Sequence, residues 1–320
     1  MSSNRTVGPK SGGFITFFKV SMVLAGAGLM LGAHHSKQGF YCPIAACPIP
    51  APIRADAVNI HEGHSASATM IGWSSTRSFR RVAEPAWGRR AALDSAEFLT
   101  VLKINRIDAT HARGRQLLVP DSIGSELSYS PLPDSIAELG EVPKFVLVSR
   151  RVQAFGAYEN GKLVRWGPTS TGKEATPTDS GLFFTNWKSK RAISTDDPTW
   201  ILDWYVNFMA LKGVAFHEYD LPGRPASHGC VRLLEVDAQW IFQWAEQWVP
   251  GRGAAVKVYG TPVLVMGDYA YHAPAPWAGL AENPNADRLT IAEVEAALRP
   301  NLGLIAERST PLRMDISLGR

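Results

Sequence analysis

The dipeptide Asn160-Gly161 is the feature that most constrains the fold. It separates two strand-like runs, residues 152–158 and 162–166. Asn and Gly both accept positive φ, so together they form the two-residue turn whose twist matches a right-handed hairpin. The surrounding sequence has the same texture. Residues 145–148 read as a short apolar strand, and residues 182–185 as another after the turn at 176–181. Residues 213–217 form a strand ending in His217, and residues 256–258 and 263–265 read as closing strands around a Gly-Thr-Pro turn. One helix interrupts them, opening at Asp237, with Ile241, Trp244, Ala245 and Trp248 on one face. The 28 Gly and 22 Pro residues also favour turns and strands over a helical bundle. The expected class is mostly β, with an inserted helix.

The chain before this domain differs in character. Residues 14–33 are apolar except for Thr16, Lys19 and Ser21, and they come after Arg5 and Lys10. A basic flank before an apolar stretch is the pattern of an export signal or a membrane anchor, and it places the rest of the chain outside the cytoplasm. Residues 34–90 are rich in Pro, Ala, Ser, His and Arg without periodicity, and read as a flexible tether. Residues 91–135 form a small segment. Asp94 to Glu97 has the form of a capping box opening a helix with Phe98, Leu99 and Leu102 on its apolar face. Residues 143–266 are the main domain. Residues 267–320 are a C-terminal extension with one short helix from Thr290 to Leu298, stopped by Pro300.

The formal charge is only +4, with both signs interspersed, so nucleic acid is not an expected partner. Three cysteines are too few for a disulfide scaffold. Cys42 and Cys47 either pair with each other or, in a lipobox-like Ile44-Ala45-Ala46-Cys47, present a lipidation site. Cys230 is left alone. It lies in Ser227-His228-Gly229-Cys230-Val231-Arg232, thirteen residues after His217. A thiol needs a nearby base or positive charge to become a nucleophile at neutral pH, and two imidazoles are at hand. Gly229 lets the backbone approach a substrate carbonyl.

These residues resemble the catalytic motif of the YkuD-type L,D-transpeptidases: a histidine, a variable loop, then Ser-His-Gly-Cys. Gln153, the Asn160-Gly161 hairpin, Ser170-Thr171-Gly172 and Thr176-Pro177 resemble the family's early strands in order. The resemblance implies a β-sandwich with an inserted helix, with Cys230 as nucleophile and His217 as general base and acid. It implies that His228 lines the site, that amides near Gly229 and Cys230 bind an oxyanion, and that Ser227 belongs to the same substrate-binding turn. Arg232 would hold a carboxylate or brace the loop, and the carbonyl of Glu218 would orient His217. The implied activity is acyl transfer from peptidoglycan tetrapeptide stems through a Cys thioester to an amine acceptor, giving a 3→3 cross-link, in the periplasm and without a metal or cofactor. If the N-terminal segment is uncleaved, the protein sits on the inner membrane. Residues 104–108 and 114–120 resemble the second half of a LysM module, which implies glycan contact, with a plain packing subdomain as the alternative.

Other readings use the same residues. A hydrolase of the same fold would pass the acyl group to water. A zinc hydrolase would need a ligand pattern such as HExxH, which is missing from the sequence. Papain-like wall peptidases place Cys before His, the reverse of the order here. A non-enzymatic wall-binding protein would leave the Cys/His pair unexplained.

Overall fold

A computed structural model describes residues 77–83, 95–252 and 255–309. The expected signal or anchor, Cys42, Cys47 and most of the expected tether lie outside these residues. Among the described residues no helix is long and apolar enough to cross a membrane.

The first described elements are β1 (Phe79–Ala83), α1 (Ser95–Asn105), α2 (Ala109–Ala112) and β2 (Gln116–Pro120). Strands β1 and β2 pair antiparallel, with Phe79 opposite Pro120 and Ala83 opposite Gln116. Strand β1 falls inside the stretch expected to be tether. It is five residues long and carries two arginines, so its apolar alternation is too weak to signal a strand; backbone pairing with β2 supplies the order instead. In α1 the fully buried face is Val101, Leu102 and Ile104, whereas Phe98 and Leu99 are half-buried.

The main domain contains β3 (Phe145–Ser149), β4 (Ala154–Glu159), β5 (Lys162–Pro168), β6 (Gly181–Phe184), β7 (Lys188–Ile193), β8 (Ile201–Met209), β9 (Val214–Glu218) and β10 (Val231–Leu233). It continues through α3 (Glu235–Trp244), β11 (Val249–Pro250), β12 (Val256–Val258) and β13 (Pro262–Met266). Five strands form one sheet in the order β5-β4-β3-β13-β6, and four form a second in the order β10-β9-β8-β7. The β4–β5 hairpin turns at Asn160 and Gly161, with φ of 47° and 74°.

Strand β3 is buried along its whole length because both faces of its sheet are covered. Val146 and Val148 face a core with Phe155, Phe208, Phe216, Val231 and Ile241, drawn from both sheets and α3. Phe145 and Leu147 face the opposite core, which includes Ile104 and Leu118 of the small unit and Trp277, Leu289, Val294 and Ile305 of the C-terminal extension. The result is a mixed α/β fold with a sandwiched pair of sheets; α1, α3 and the helix from Ile291 answer to the three helices expected, and two further α-helices, Ala109–Ala112 and Leu302–Ser309, are added. The extension holds α4 (Ile291–Leu298), opened by a complete Thr290/Glu293 capping box, and α5 (Leu302–Ser309). Pro300 lies in a 3₁₀ turn that joins these helices. Proline is tolerated at such a start, so it redirects the chain without ending the helical region.

Buried ion pairs lock these parts together. Lys103 of α1 is fully buried and donates to Asp237 of α3 at 2.9 Å, to Glu126 at 2.7 Å and to the carbonyl of Trp166 at 3.1 Å. Arg165 also pairs with Asp237, at 2.7 Å. Arg106, equally buried, reaches Asp287 at 2.7 Å and the carbonyl of Val152 at 3.0 Å. Arg77 meets the other oxygen of Asp287 at 3.0 Å.

Candidate active site

His217 and Cys230 line one cleft, together with Ser194, Asp196, Trp200, Tyr219, Ser227, His228 and Arg232. His217 sits on β9, and Arg232 lies beside it on the parallel strand β10. Cys230 ends the turn that leads into β10, so pairing β9 with β10 brings imidazole and thiol to the same edge.

The His217 ring is oriented by its own chain. Its Nδ1 lies 2.8 Å from the carbonyl of Glu218. A carbonyl can only accept, so Nδ1 carries the proton and Nε2 is left as the basic nitrogen. Burial favours the neutral ring and pushes its pKa down to about 4, with the positive charge of Arg232 acting in the same direction. Cys230 keeps some exposure at the cleft, yet the surrounding protein pushes its thiol up to about 11, against a hydrogen bond from the Ala215 amide. Its Sγ also lies 3.9 Å from the carbonyl of Gly213. The resting pair is therefore a neutral thiol and a neutral imidazole.

The turn carrying Cys230 is built from beneath. Ser227 Oγ donates to the carbonyl of Cys230 at 2.6 Å and accepts the amide of Gly229 at 3.1 Å. Thr178 Oγ1 donates to the carbonyl of Gly229 at 2.8 Å. Gln153 holds Thr171 through both ends of its amide, at 2.8 and 2.9 Å, and the carbonyl of Thr171 accepts the amides of Ala226 and Ser227. Gly229 has φ of +116°, where a side chain would be strained.

The structure thus gathers all six residues singled out in the sequence, in differing positions. Ser227 braces the turn with its hydroxyl. The Gly229 amide, expected in an oxyanion hole, points to Ser227 Oγ. His228 is exposed; its Nε2 accepts from Lys173 Nζ at 2.7 Å and its ring lies 4.7 Å from that of Trp200. Arg232 stands over the Tyr219 ring at 4.5 Å and reaches the carbonyl of Asp220 at 3.5 Å. Thr178 and Lys173 were not singled out, although both lie in the stretch of early motifs that carries Gly172 and Thr176. Asp196 and Trp200 come from the β7–β8 connection, for which the sequence offers no strand signal. Among the described residues no three His, Cys, Asp or Glu side chains cluster as metal ligands would.

The sandwich thus presents a histidine and a cysteine in one cleft at a sheet edge. The chain carries a YkuD-type L,D-transpeptidase catalytic domain, matched over residues 143–265. Among solved structures it is similar to an L,D-transpeptidase from Stackebrandtia nassauensis, with 23% identity, a TM-score of 0.34 and coverage of 40% of this chain and 58% of that one. It is also similar to L,D-transpeptidases from Mycobacterium smegmatis (21% identity, TM-score 0.32, 39% and 59% covered) and Mycobacterium tuberculosis (23%, 0.30, 39% and 62%). The match spans less than two thirds of the length of each of these structures. No curated protein matches the chain.

Proposed function

We propose that the protein is an L,D-transpeptidase that forms a thioester on Cys230 with a peptidoglycan stem peptide and passes the acyl group to an amine. The observation that carries this reading is the fixed tautomer of His217: its Nδ1 is committed to Glu218, and its basic nitrogen serves the cleft shared with Cys230.

Because thiol and imidazole are both neutral at rest, the thiol proton moves to His217 Nε2 as sulfur attacks the carbonyl carbon. The carbonyl π electrons become the oxyanion. The Cys230 amide is a candidate donor to it, and the Gly229 amide joins only by giving up Ser227. Collapse breaks the C–N bond to the terminal D-Ala, whose amine takes the proton back from His217. An acceptor amine then attacks the thioester, gives a proton to His217, and releases the sulfur to be reprotonated. His228 and Arg232 line the cleft as groups for orienting the substrate, and Arg232 also braces the loop before Ser227. The setting is the cell envelope outside the inner membrane, with the LysM-like stretch of residues 104–108 and 114–120 as a candidate contact for glycan.

Incubating the purified protein with a disaccharide-tetrapeptide tests the reading. A dimer lighter than two substrates by one D-Ala is expected. Release of D-Ala with only tripeptide formed would make water the acceptor, and no change in the substrate would refute an enzymatic role.

A further inference from the structure

We propose that Asp108, which lies outside the catalytic domain, is a positioning residue for the loop between base and nucleophile. This rests on the reading of His217 and Cys230 given above and extends it to how the pair is held.

The loop runs from Glu218 to Ala226. Its two halves are supported differently. The half near Cys230 is held by the catalytic domain itself: Ser170 Oγ donates to the carbonyl of Arg224 at 2.8 Å, and the Ala226 amide donates to Thr171 at 3.0 Å. Past Glu218, whose carbonyl meets His217 Nδ1 at 2.8 Å and which pairs with Leu233, the half near His217 has weaker support from that domain, a 3.3 Å bond from the Tyr219 amide to Leu233 and a 3.5 Å bond from Arg232 to Asp220. Its shorter bonds come from the small unit. The Asp108 amide donates to the carbonyl of Leu221 at 3.1 Å, and Asp108 Oδ2 accepts the Leu221 amide at 2.8 Å. Both bonds close on one fully buried residue. Ile107 bridges to Pro222, and Arg115 donates to the carbonyl of Pro222 at 3.2 Å.

The clamp is itself fixed. Asp108 caps α2, accepting the His111 amide at 2.9 Å and lying 2.8 Å from the His111 ring. Burial pushes its carboxyl up, but the hydrogen bonds from His111 and Leu221 outweigh this and keep it below the ordinary value, as an acceptor. Beside Gly223 lies a cavity of about 290 Å³, lined by Arg81, Ile107, Arg115 and Trp277. Leu221 is three residues from Glu218, whose carbonyl sets the His217 tautomer. Releasing Leu221 therefore frees that carbonyl to drift, and misplacement on the ångström scale costs about 10²-fold in rate.

The test compares full-length parent, Asp108→Ala, Asp108→Asn and, as a control, Asn105→Ala. The control loosens the same unit, because Asn105 ties α1 to β2 through Leu118, but it leaves the loop bonds in place. The readouts are the saturating rate and half-saturating concentration of acylation by a carbapenem, the melting temperature, and the nitrogen-15 NMR signature of the His217 ring. Asp108→Ala should lower the saturating rate by about 10- to 100-fold with little change in half-saturation, and should mix the His217 tautomers. Asp108→Asn still caps a helix and keeps one acceptor oxygen, so it should fold and fall between parent and alanine. Asn105→Ala should lose stability while keeping the parent rate and a single tautomer. A parent-like rate in Asp108→Ala, or an equal loss in Asn105→Ala, would overturn the clamp. If the parent is not acylated at all, the reading of the active site fails; a single unchanged tautomer in Asp108→Ala would then overturn the clamp separately.

Discussion

The ion-paired seam is buried and the catalytic cleft only partly so, and the two handle charge in different ways. In the seam, Lys103, Arg106, Asp237 and Asp287 are at most 1% exposed and are joined by ion pairs and hydrogen bonds. In the cleft, no ion pair among the described residues holds His217 or Cys230, and burial pushes the imidazole down to about 4 and the thiol up to about 11, although Arg232 pulls the thiol the other way. Buried charge is tolerated only with partners, so an unpartnered titratable group shifts its pKa instead. The seam's charges join three stretches of chain. In the proposed reaction, the cleft's neutrality keeps a proton available to move.

The largest expected effect breaks the seam. Asp287→Ala leaves Arg77 and Arg106 without their shared carboxylate and should cost about 3–5 kcal/mol. Chemical denaturation measures it, while the rate of thiol acylation per folded molecule should stay close to that of the parent. An equally large fall in that rate would show that seam and cleft are not separable.

Acid tests the neutrality of the cleft. The folded-state pKa of His217 lies near 4, below its ordinary value of 6.5. Between these values the unfolded chain binds a proton that the folded protein refuses. Stability from this residue is therefore complete above about pH 6.5 and is lost as pH falls toward 4, on the order of 3 kcal/mol. Denaturation of parent and His217→Gln at pH 7 and pH 4.5 isolates the term, and the variant should show the shallower acid loss. Parallel curves would mean that His217 is not held neutral.

A smaller effect concerns the turn. Gly229→Ala places a side chain at φ of +116° and should cost about 1–2 kcal/mol, with a fall in acylation because Cys230 is re-aimed. The nearest atom to the added methyl, on Val214, is 3.7 Å away, so a loss would reflect backbone strain and not a clash.

Much of the cleft was legible in the sequence because it depends on local order. His217, Ser227, His228, Gly229, Cys230 and Arg232 sit in one short stretch, and the Asn160-Gly161 turn and Thr290/Glu293 box signal their elements directly. The seam was not legible. Lys103 and Arg106 look like surface charges on a helix, and only the fold brings Asp237 and Asp287 to them from far along the chain. The β7–β8 hairpin was hidden for another reason: β7 is largely polar, and Trp204 interrupts β8 with φ of +56°. What Ser227 and the Gly229 amide do in the turn could be seen only once the bonds were placed.

The central claim is that Cys230 is the nucleophile and His217 its base. Intact-protein mass spectrometry after exposure to a carbapenem tests it most directly. The parent should gain one adduct, mapped to Cys230, and Cys230→Ala none. His217→Ala should form the adduct about 10²–10⁴-fold more slowly, and His228→Ala should lose less. An adduct persisting on Cys230→Ala, or a greater loss with His228→Ala than with His217→Ala, would contradict the account.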